Sequence, residues 1–145
     1  MSRVKIQFPE HNPLGVVLIP VRISDINYGN HVGNDAILSI IHEARMQVLA
    51  QNNYTEMNAG GNSMIMADVM IAYKAEAFYG DTLEVEVYAA DVTSVRFDLL
   101  YRIWTNRAGK EIEVAHAKTG MVCFDYKNRT VATMTPLLEQ YLSKR

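Results

Sequence analysis

The spacing of hydrophobic residues predicts one long helix in the first half of the chain. Between residues 35 and 51, apolar side chains recur every three or four positions, which is the period of an amphipathic helix. These apolar positions are Ile37, Ile40, Ile41, Ala44, Val48 and Leu49, with Ala36 and Leu38 beside them. Because the apolar stripe is so wide, the helix must be covered on more than one side. Asn34 and Asp35 are the predicted N-cap residues.

The second half of the chain alternates between apolar and polar residues, which predicts antiparallel strands with one buried face. The alternation covers residues 65–73, 83–89, 95–103 and 112–126. These four strands are expected to follow one another as a meander. Residues 15–24 are apolar and β-branched, so they predict a further strand ahead of the helix.

Together these elements predict an α+β fold in which a curled antiparallel sheet of about five strands wraps around the helix. The whole chain, residues 1–145, is expected to form one domain. Residues 1–14 are predicted to be a loosely attached arm. Residues 136–145 are predicted to be a tail that includes a short helix begun by Pro136.

The composition is that of a folded domain, and it excludes several classes of function. The 145 residues are 49% hydrophobic and 21% charged, and the formal net charge of −2 argues against binding nucleic acid by neutralising phosphates. No apolar run has the length of a membrane span, and the start of the chain lacks the apolar region of a secretory signal. The single Cys123 allows neither an internal disulfide nor a cysteine zinc site. We therefore expect a cytoplasmic protein without a nucleic-acid or membrane partner.

An irregular loop joins the first strand to the helix and carries most of the reactive side chains. Residues 25–34 read Asp-Ile-Asn-Tyr-Gly-Asn-His-Val-Gly-Asn, and residues 43–45 of the helix read Glu-Ala-Arg. Further on, residues 71–73 read Ile-Ala-Tyr and residues 79–83 read Tyr-Gly-Asp-Thr-Leu. These segments resemble the hotdog-fold thioesterases of the 4-hydroxybenzoyl-CoA thioesterase-like family, and the resemblance covers nearly the whole chain.

The resemblance implies a hotdog fold and hydrolysis of an acyl-CoA or acyl-carrier-protein thioester to the free acid and the thiol. It also implies a homodimer with two sites at its interface, or a homotetramer. The family signature reads roughly Asp-x-Asp-x-x-Gly-His-Val-Asn-Asn, and its second Asp is the usual catalytic carboxylate. In this chain that position is Asn27, and the first Asn of the closing pair is Gly33. Either the chemistry is redistributed among neighbouring residues, or the site binds a thioester without hydrolysing it.

Thioester hydrolysis needs a base or a carboxylate nucleophile, together with donors for the oxyanion. The first amides of the helix, near Gly33, Asn34 and Asp35, are expected to supply the donors because they lack intrahelical partners. His31 is a candidate base, and Asp35 in the first helical turn is a candidate nucleophile. Asn27 could orient a water or polarise the carbonyl. Each side chain also has a structural alternative: a loop hydrogen bond for His31, a helix cap for Asp35 and a turn for Asn27.

The remaining candidates have supporting roles. Asp25 is expected to hold the loop, against Arg45, and Glu43 is expected to form a buried pair with Arg45. The resemblance places Asp68 on a strand that runs near the partner subunit's site. No cofactor or metal is expected, since His31 and Asp35 have the spacing of two metal ligands but lack further ligands.

Three functions remain open at this stage. The first is an acyl-CoA thioesterase. The second is a binding protein for acyl thioesters that has the same fold but does not hydrolyse them, and Asn27 favours it. The third is a hydratase or dehydratase that acts on acyl thioesters.

Overall fold

The computed structural model describes residues 3–144, so residues 1, 2 and 145 of the predicted arm and tail lie outside the described residues. The elements along the chain are β1 (Gly15–Pro20), α1 (Asn34–Ala50), β2 (Ser63–Tyr73), β3 (Thr82–Ala90), β4 (Arg96–Arg107), β5 (Lys110–Asp125), β6 (Thr130–Val131) and α2 (Pro136–Leu142). The predicted α+β arrangement of one long helix and an antiparallel sheet is confirmed. Among the described residues the sheet has six strands rather than about five, because the two-residue β6 is too short to show an alternation.

The predicted four-strand meander is wrong for β2. The strands lie in the order β1-β3-β4-β5-β2, with β6 also paired to β5. Both edges of β3 are taken by β1 and β4, so β2 pairs with the remaining edge of β5. Residues 74–81 therefore form a crossover that carries the chain from β2, at one edge of the sheet, to β3, which lies next to β1 near the opposite edge. The first strand is also shorter than predicted and ends at Pro20, before a single 3-10 turn at Ile23–Asp25.

Helix α1 packs on one face of the sheet and forms the core with it. Ile41 and Ala44 are fully buried, as are Val85 and Ala117 on the strands that surround them. Helix α2 closes one end of this core with the buried Leu138. No helix within residues 3–144 has the length and apolar character needed to cross a membrane.

The N-terminal arm crosses the opposite face of the sheet, which we call the outer face. The Phe8 ring lies 5.4 Å from the ring of Tyr88 and 5.0 Å from that of His116, measured between centroids. Both partners alternate with core residues along their strands, so their side chains point away from the helix. The arm is thus attached through Phe8, whereas the sequence suggested a loose segment.

Truncation of the buried helix face tests this packing. Ile41→Ala is expected to lower the free energy of unfolding by about 3 kcal/mol, because the lost methylenes leave a cavity in the core. Ile41 is 0% exposed, and the matched control Leu38→Ala removes a side chain that is 38% exposed on the same helix. Urea denaturation of both variants gives the comparison. Equal losses for the two variants would contradict the placement of α1 in the core.

Candidate active site

The start of α1 is built around Gly33. Its carbonyl accepts hydrogen bonds from the amides of Ala36 (3.0 Å) and Ile37 (3.3 Å), and Gly33 is therefore the N-cap residue. The prediction that Asn34 or Asp35 caps the helix is wrong, since both residues belong to its first turn. A side chain at position 33 would place its Cβ 2.7 Å from Oδ1 of Asp35. Glycine at this position therefore leaves room for the carboxylate.

Two backbone amides at the start of the helix are free to bind an anion. Among the described residues, neither the amide of Asn34 nor that of Asp35 has a hydrogen-bond partner. The Gly33 amide differs, because it donates to the carbonyl of Asp25 at 3.0 Å. Gly33 therefore does not belong to the oxyanion donors, contrary to the prediction from the sequence. The two remaining donors lie at the positive end of the helix dipole.

The backbone of the loop sets the proton position on His31. Nδ1 of the imidazole lies 3.0 Å from the carbonyl oxygen of Val32, and a carbonyl can only accept a hydrogen bond. Nδ1 therefore carries the proton in the neutral ring, and Nε2 keeps a lone pair. Nε2 forms no hydrogen bond within the described part of the chain. This is the arrangement that a general base requires.

Asn27 has the structural role that the sequence left open, and it also keeps a free donor. Its Oδ1 accepts a hydrogen bond from the Gly29 amide at 2.9 Å and so closes a tight turn. Its Nδ2 lies 3.8 Å from the point that a Gly33 Cβ would occupy, close to the Asp35 carboxylate. Asn27 and Asp35 therefore flank Gly33, and the Asn27 amide group can donate to a water or a carbonyl oxygen there.

A hollow of about 340 Å³ opens beside the helix start, and we call it the site cavity. Its walls include His31, Asn34, Ile37, Tyr73, Lys74 and Glu76. The last three are not among the site residues predicted from the sequence. For Tyr73 a signal existed, because it closes the Ile-Ala-Tyr segment that resembles the family pattern.

Tyr73 joins the end of β2 to the helix start. Its hydroxyl donates to the Asn34 carbonyl at 3.0 Å. Burial raises the pKa of Tyr73, and the nearby Asp35 carboxylate raises it further. The hydroxyl therefore keeps its proton at neutral pH and remains a donor.

The crossover that forms one wall of the site cavity is fixed at its middle and at its far end. The Val32 amide donates to the Ala77 carbonyl at 2.8 Å, which ties the crossover to the His31 loop. At the far end, Arg107 pairs with Asp81 through Nη2 at 2.6 Å and Nε at 3.3 Å. The hydrogen bonds from Arg107 hold the pKa of Asp81 below its usual range. The wall of the site cavity is thereby attached to β4.

The predicted supporting pairs are replaced by others. Asp25 is buried, but it accepts hydrogen bonds from the backbone amide and the guanidinium of Arg22, not from Arg45. Glu43 is exposed and accepts a hydrogen bond from Gln47 at 2.8 Å. Residues two apart on a helix point to different sides, which is why Glu43 cannot reach Arg45.

Arg45 instead points into the protein, where it is only 5% exposed. Its Nε donates to Glu56 at 2.8 Å, and its Nη1 donates to the Tyr101 hydroxyl at 3.0 Å. That hydroxyl is also 2.8 Å from the Thr119 hydroxyl, and His42 meets the same Glu56 at 2.8 Å. We call these residues the Arg45 network. It lies near the middle of the helix, away from the helix start.

Asp68 lies on the outer face of the sheet, near Asp98 and over Gly120. In its own chain it therefore faces away from the helix start. Its role in a partner subunit's site stays a prediction. Within residues 3–144, no three His, Cys, Asp or Glu side chains are grouped as a metal site.

Comparison with known proteins gives a family for these features. The model of the thioesterase-like superfamily matches residues 21–142. The fold is similar to that of a 1,4-dihydroxy-2-naphthoyl-CoA thioesterase from Synechocystis, with 21% identity, a TM-score of 0.76 and coverage of 88% of this chain and 94% of that chain. A gentisyl-coenzyme A thioesterase matches with 12% identity, a TM-score of 0.73 and coverage of 88% and 99%. A hypothetical protein from Thermus thermophilus matches with 20% identity, a TM-score of 0.73 and coverage of 88% and 96%. No curated protein matches the sequence significantly.

Proposed function

Because the chain belongs to the thioesterase-like superfamily, with its hotdog fold, we propose that it hydrolyses an acyl-CoA or acyl-carrier-protein thioester. The observation that carries the proposal is the pairing of two free amides, those of Asn34 and Asp35, with the unpartnered Nε2 of His31. A donor pair and a base are the two parts that acyl transfer to water requires. His31 and Asn34 also line the site cavity. The expected cytoplasmic location is part of the same proposal.

The proposed reaction starts with the thioester carbonyl over the helix start. Nε2 of His31 takes a proton from a water, whose oxygen attacks the carbonyl carbon. The negative charge that develops on the carbonyl oxygen is held by the amides of Asn34 and Asp35, and one such donor is worth about 3–4 kcal/mol of barrier. The carbon–sulfur bond then breaks, and the imidazolium returns its proton to the leaving thiolate. The Nδ2 group of Asn27, which lies beside Gly33, donates a hydrogen bond to the water and so orients it.

A second candidate function is binding without hydrolysis, and Asn27 favours it. This residue lacks the carboxylate of the family signature, and its Oδ1 is engaged by the Gly29 amide. A protein of this kind would hold an acyl thioester at the helix start without turning it over.

Two substitutions of Asn27 separate these functions. Asn27→Asp keeps an acceptor for the Gly29 amide, restores the family carboxylate and is expected to keep or raise the rate of hydrolysis. Asn27→Ala is expected to lower kcat about tenfold, since it removes the group that orients the water, while substrate binding persists. Release of free thiol from a panel of acyl-CoA substrates gives the rates. A wild-type protein that hydrolyses none of them, with activity gained in Asn27→Asp, would identify a binding protein.

The assembly is proposed to be a homodimer, or a homotetramer made of two such dimers. Strand β2 lies at the end of the sheet, and residues 65–69 are exposed on both of its faces. Leu38 of the helix is exposed as well. Pairing β2 with its copy would bury these apolar groups and complete the edge. Light scattering at micromolar concentration should give at least twice 16.4 kDa, and a monomeric mass would contradict the proposal.

A further inference from the structure

A second hollow, with a volume of about 390 Å³, lies between the middle of α1, residues 55–57 and the start of β2. Four methionines line it, and we call it the methionine hollow. They are Met46, Met57, Met64 and Met66. Its size falls within the range of small-molecule sites, and its lining is mostly apolar. None of its residues takes part in the chemistry proposed above.

The Arg45 network borders this hollow. Arg45 and Glu56 both line it, and their ion pair is held from the core side by the Tyr101 hydroxyl. His42 stands at the exposed side and contacts the same Glu56. A group that displaced this pair would leave a buried charge unpaired, at a high free-energy cost. The Arg45–Glu56 ion pair therefore forms the polar boundary of the methionine hollow.

The methionine hollow and the helix start lie at opposite ends of β2. Tyr73 at the end of β2 bonds to Asn34, whereas Met64 and Met66 stand near its beginning. Within one chain, the eleven residues from Asn34 to Arg45 separate the two places by about 16 Å along the helix. When two β2 strands pair in antiparallel fashion, the end of one meets the beginning of the other. The hollow of one copy then adjoins the helix start of the other.

We infer that the methionine hollow binds the acyl chain of the thioester held at the helix start of the paired copy, and that this chain is unbranched and aliphatic. The inference rests on the proposed function. Methionine side chains are flexible and polarisable, so they adapt to a chain with many conformations. A rigid aromatic ring has one fixed shape, so an adaptable lining gives it no advantage. The Arg45–Glu56 pair limits the length of chain that fits.

The inference predicts how the rate depends on chain length. For the wild-type protein, kcat/KM should rise about three- to fourfold for each added methylene, because each one buries apolar surface. The rise should stop, and the rate should fall, once the chain is long enough to reach Arg45 and Glu56. A series of straight-chain acyl-CoA substrates from acetyl to hexadecanoyl measures this profile by thiol release.

Met57→Trp tests the hollow directly, because the indole fills it. The variant is expected to lose at least tenfold in kcat/KM for decanoyl-CoA and to stay within twofold of wild type for acetyl-CoA. Leu137→Trp is the matched control, since Leu137 is 58% exposed on α2 and Met57 is 60% exposed. The control should keep the wild-type profile. If kcat/KM depends on acyl-chain length in the same way for Met57→Trp and the wild-type protein, the inference is overturned, while the proposed hydrolysis is unaffected.

Equilibrium binding keeps the inference testable if no thioester is hydrolysed. By calorimetry, decanoyl-CoA should bind the wild-type protein at least tenfold more tightly than acetyl-CoA, and Met57→Trp should remove that difference. In that outcome the proposed hydrolysis fails and the chain-binding hollow stands. No difference in affinity between the two ligands for the wild-type protein would overturn the hollow as well.

Mixed dimers show whether the hollow serves the paired copy. A His31→Asn chain and a Met57→Trp chain are produced together with different affinity tags, and dimers that carry both tags are isolated. If the hollow serves the other copy, each mixed dimer retains one intact site and about half the wild-type activity on decanoyl-CoA. If the hollow serves its own chain, both sites are defective and the activity is lost, which would overturn the shared arrangement.

Discussion

Replacing His31 with Asn is expected to lower kcat for thioester hydrolysis by about 10²- to 10⁴-fold, the usual contribution of a general base. In the wild-type ring, Nδ1 donates to the Val32 carbonyl and Nε2 is free to take the proton of the attacking water. An Asn side chain can make the same bond to Val32, but it has no basic nitrogen. The loop should therefore keep its shape while the base is lost. Steady-state kinetics with a short-chain acyl-CoA measure kcat and KM separately, and KM should change little.

Asp35→Asn is the companion variant, because a carboxylate at this place could act as the nucleophile instead. If His31 is the base, Asp35→Asn should retain most of the activity, whereas His31→Asn should not. The opposite ranking would move the chemistry onto Asp35. If both variants hydrolyse as fast as the wild-type protein, the chemistry proposed for the helix start is wrong.

Removal of the Glu56 side chain is expected to lower the free energy of unfolding by about 3–4 kcal/mol. Its partner Arg45 is almost completely buried, so Glu56→Ala leaves a guanidinium in the protein without its counter-charge. His42→Ala removes the exposed neighbour of the same carboxylate and should cost less than about 1 kcal/mol. Urea denaturation of both variants makes the comparison. A loss for Glu56→Ala no larger than that for His42→Ala would show that the buried pair does not stabilise the fold.

The same pair makes stability depend on pH. Burial alone would raise the pKa of Glu56, but the hydrogen bonds from Arg45 and His42 outweigh it and hold the pKa below its usual value. Since the folded state has the lower pKa, the contribution of Glu56 is complete above the pKa of the unfolded chain. It is lost as the pH falls through the folded value. The unfolding free energy of Glu56→Gln should therefore fall less steeply than that of the wild-type protein when the pH is lowered below about 5.

The sequence was informative where the relevant interactions are local. The three- and four-residue spacing around Ile41 correctly predicted a helix that is covered on several sides, and the alternation after residue 60 located the long strands. The alternation of apolar and polar residues indicates which face of a strand is buried, but it does not indicate which strand lies beside it. For this reason the pairing of β2 with β5 was missed. That choice depends on β1 and β4 having already taken both edges of β3.

The site shows the same division between local and distant contacts. The loop motif predicted a site at the helix start; there Asn27 and Asp35 flank Gly33, and His31 lines the site cavity. The partners of Arg45 were missed, because Glu56 belongs to an irregular segment and Tyr101 is distant in sequence. Lys74 and Glu76 reach the site cavity only because of the crossover. Its course follows from the strand order, which the periodicity does not determine.

The crossover also has a consequence for the order in which the protein folds. Strands β3, β4 and β5 are joined by short turns, so they can assemble through contacts between neighbours in sequence. Strand β2 is synthesised before all three, yet within residues 3–144 its only partner in the sheet is β5. Until β5 is in place, both edges of β2 remain open, together with its exposed apolar residues. A newly made chain is therefore most exposed to aggregation through the strand that is proposed to join the two subunits.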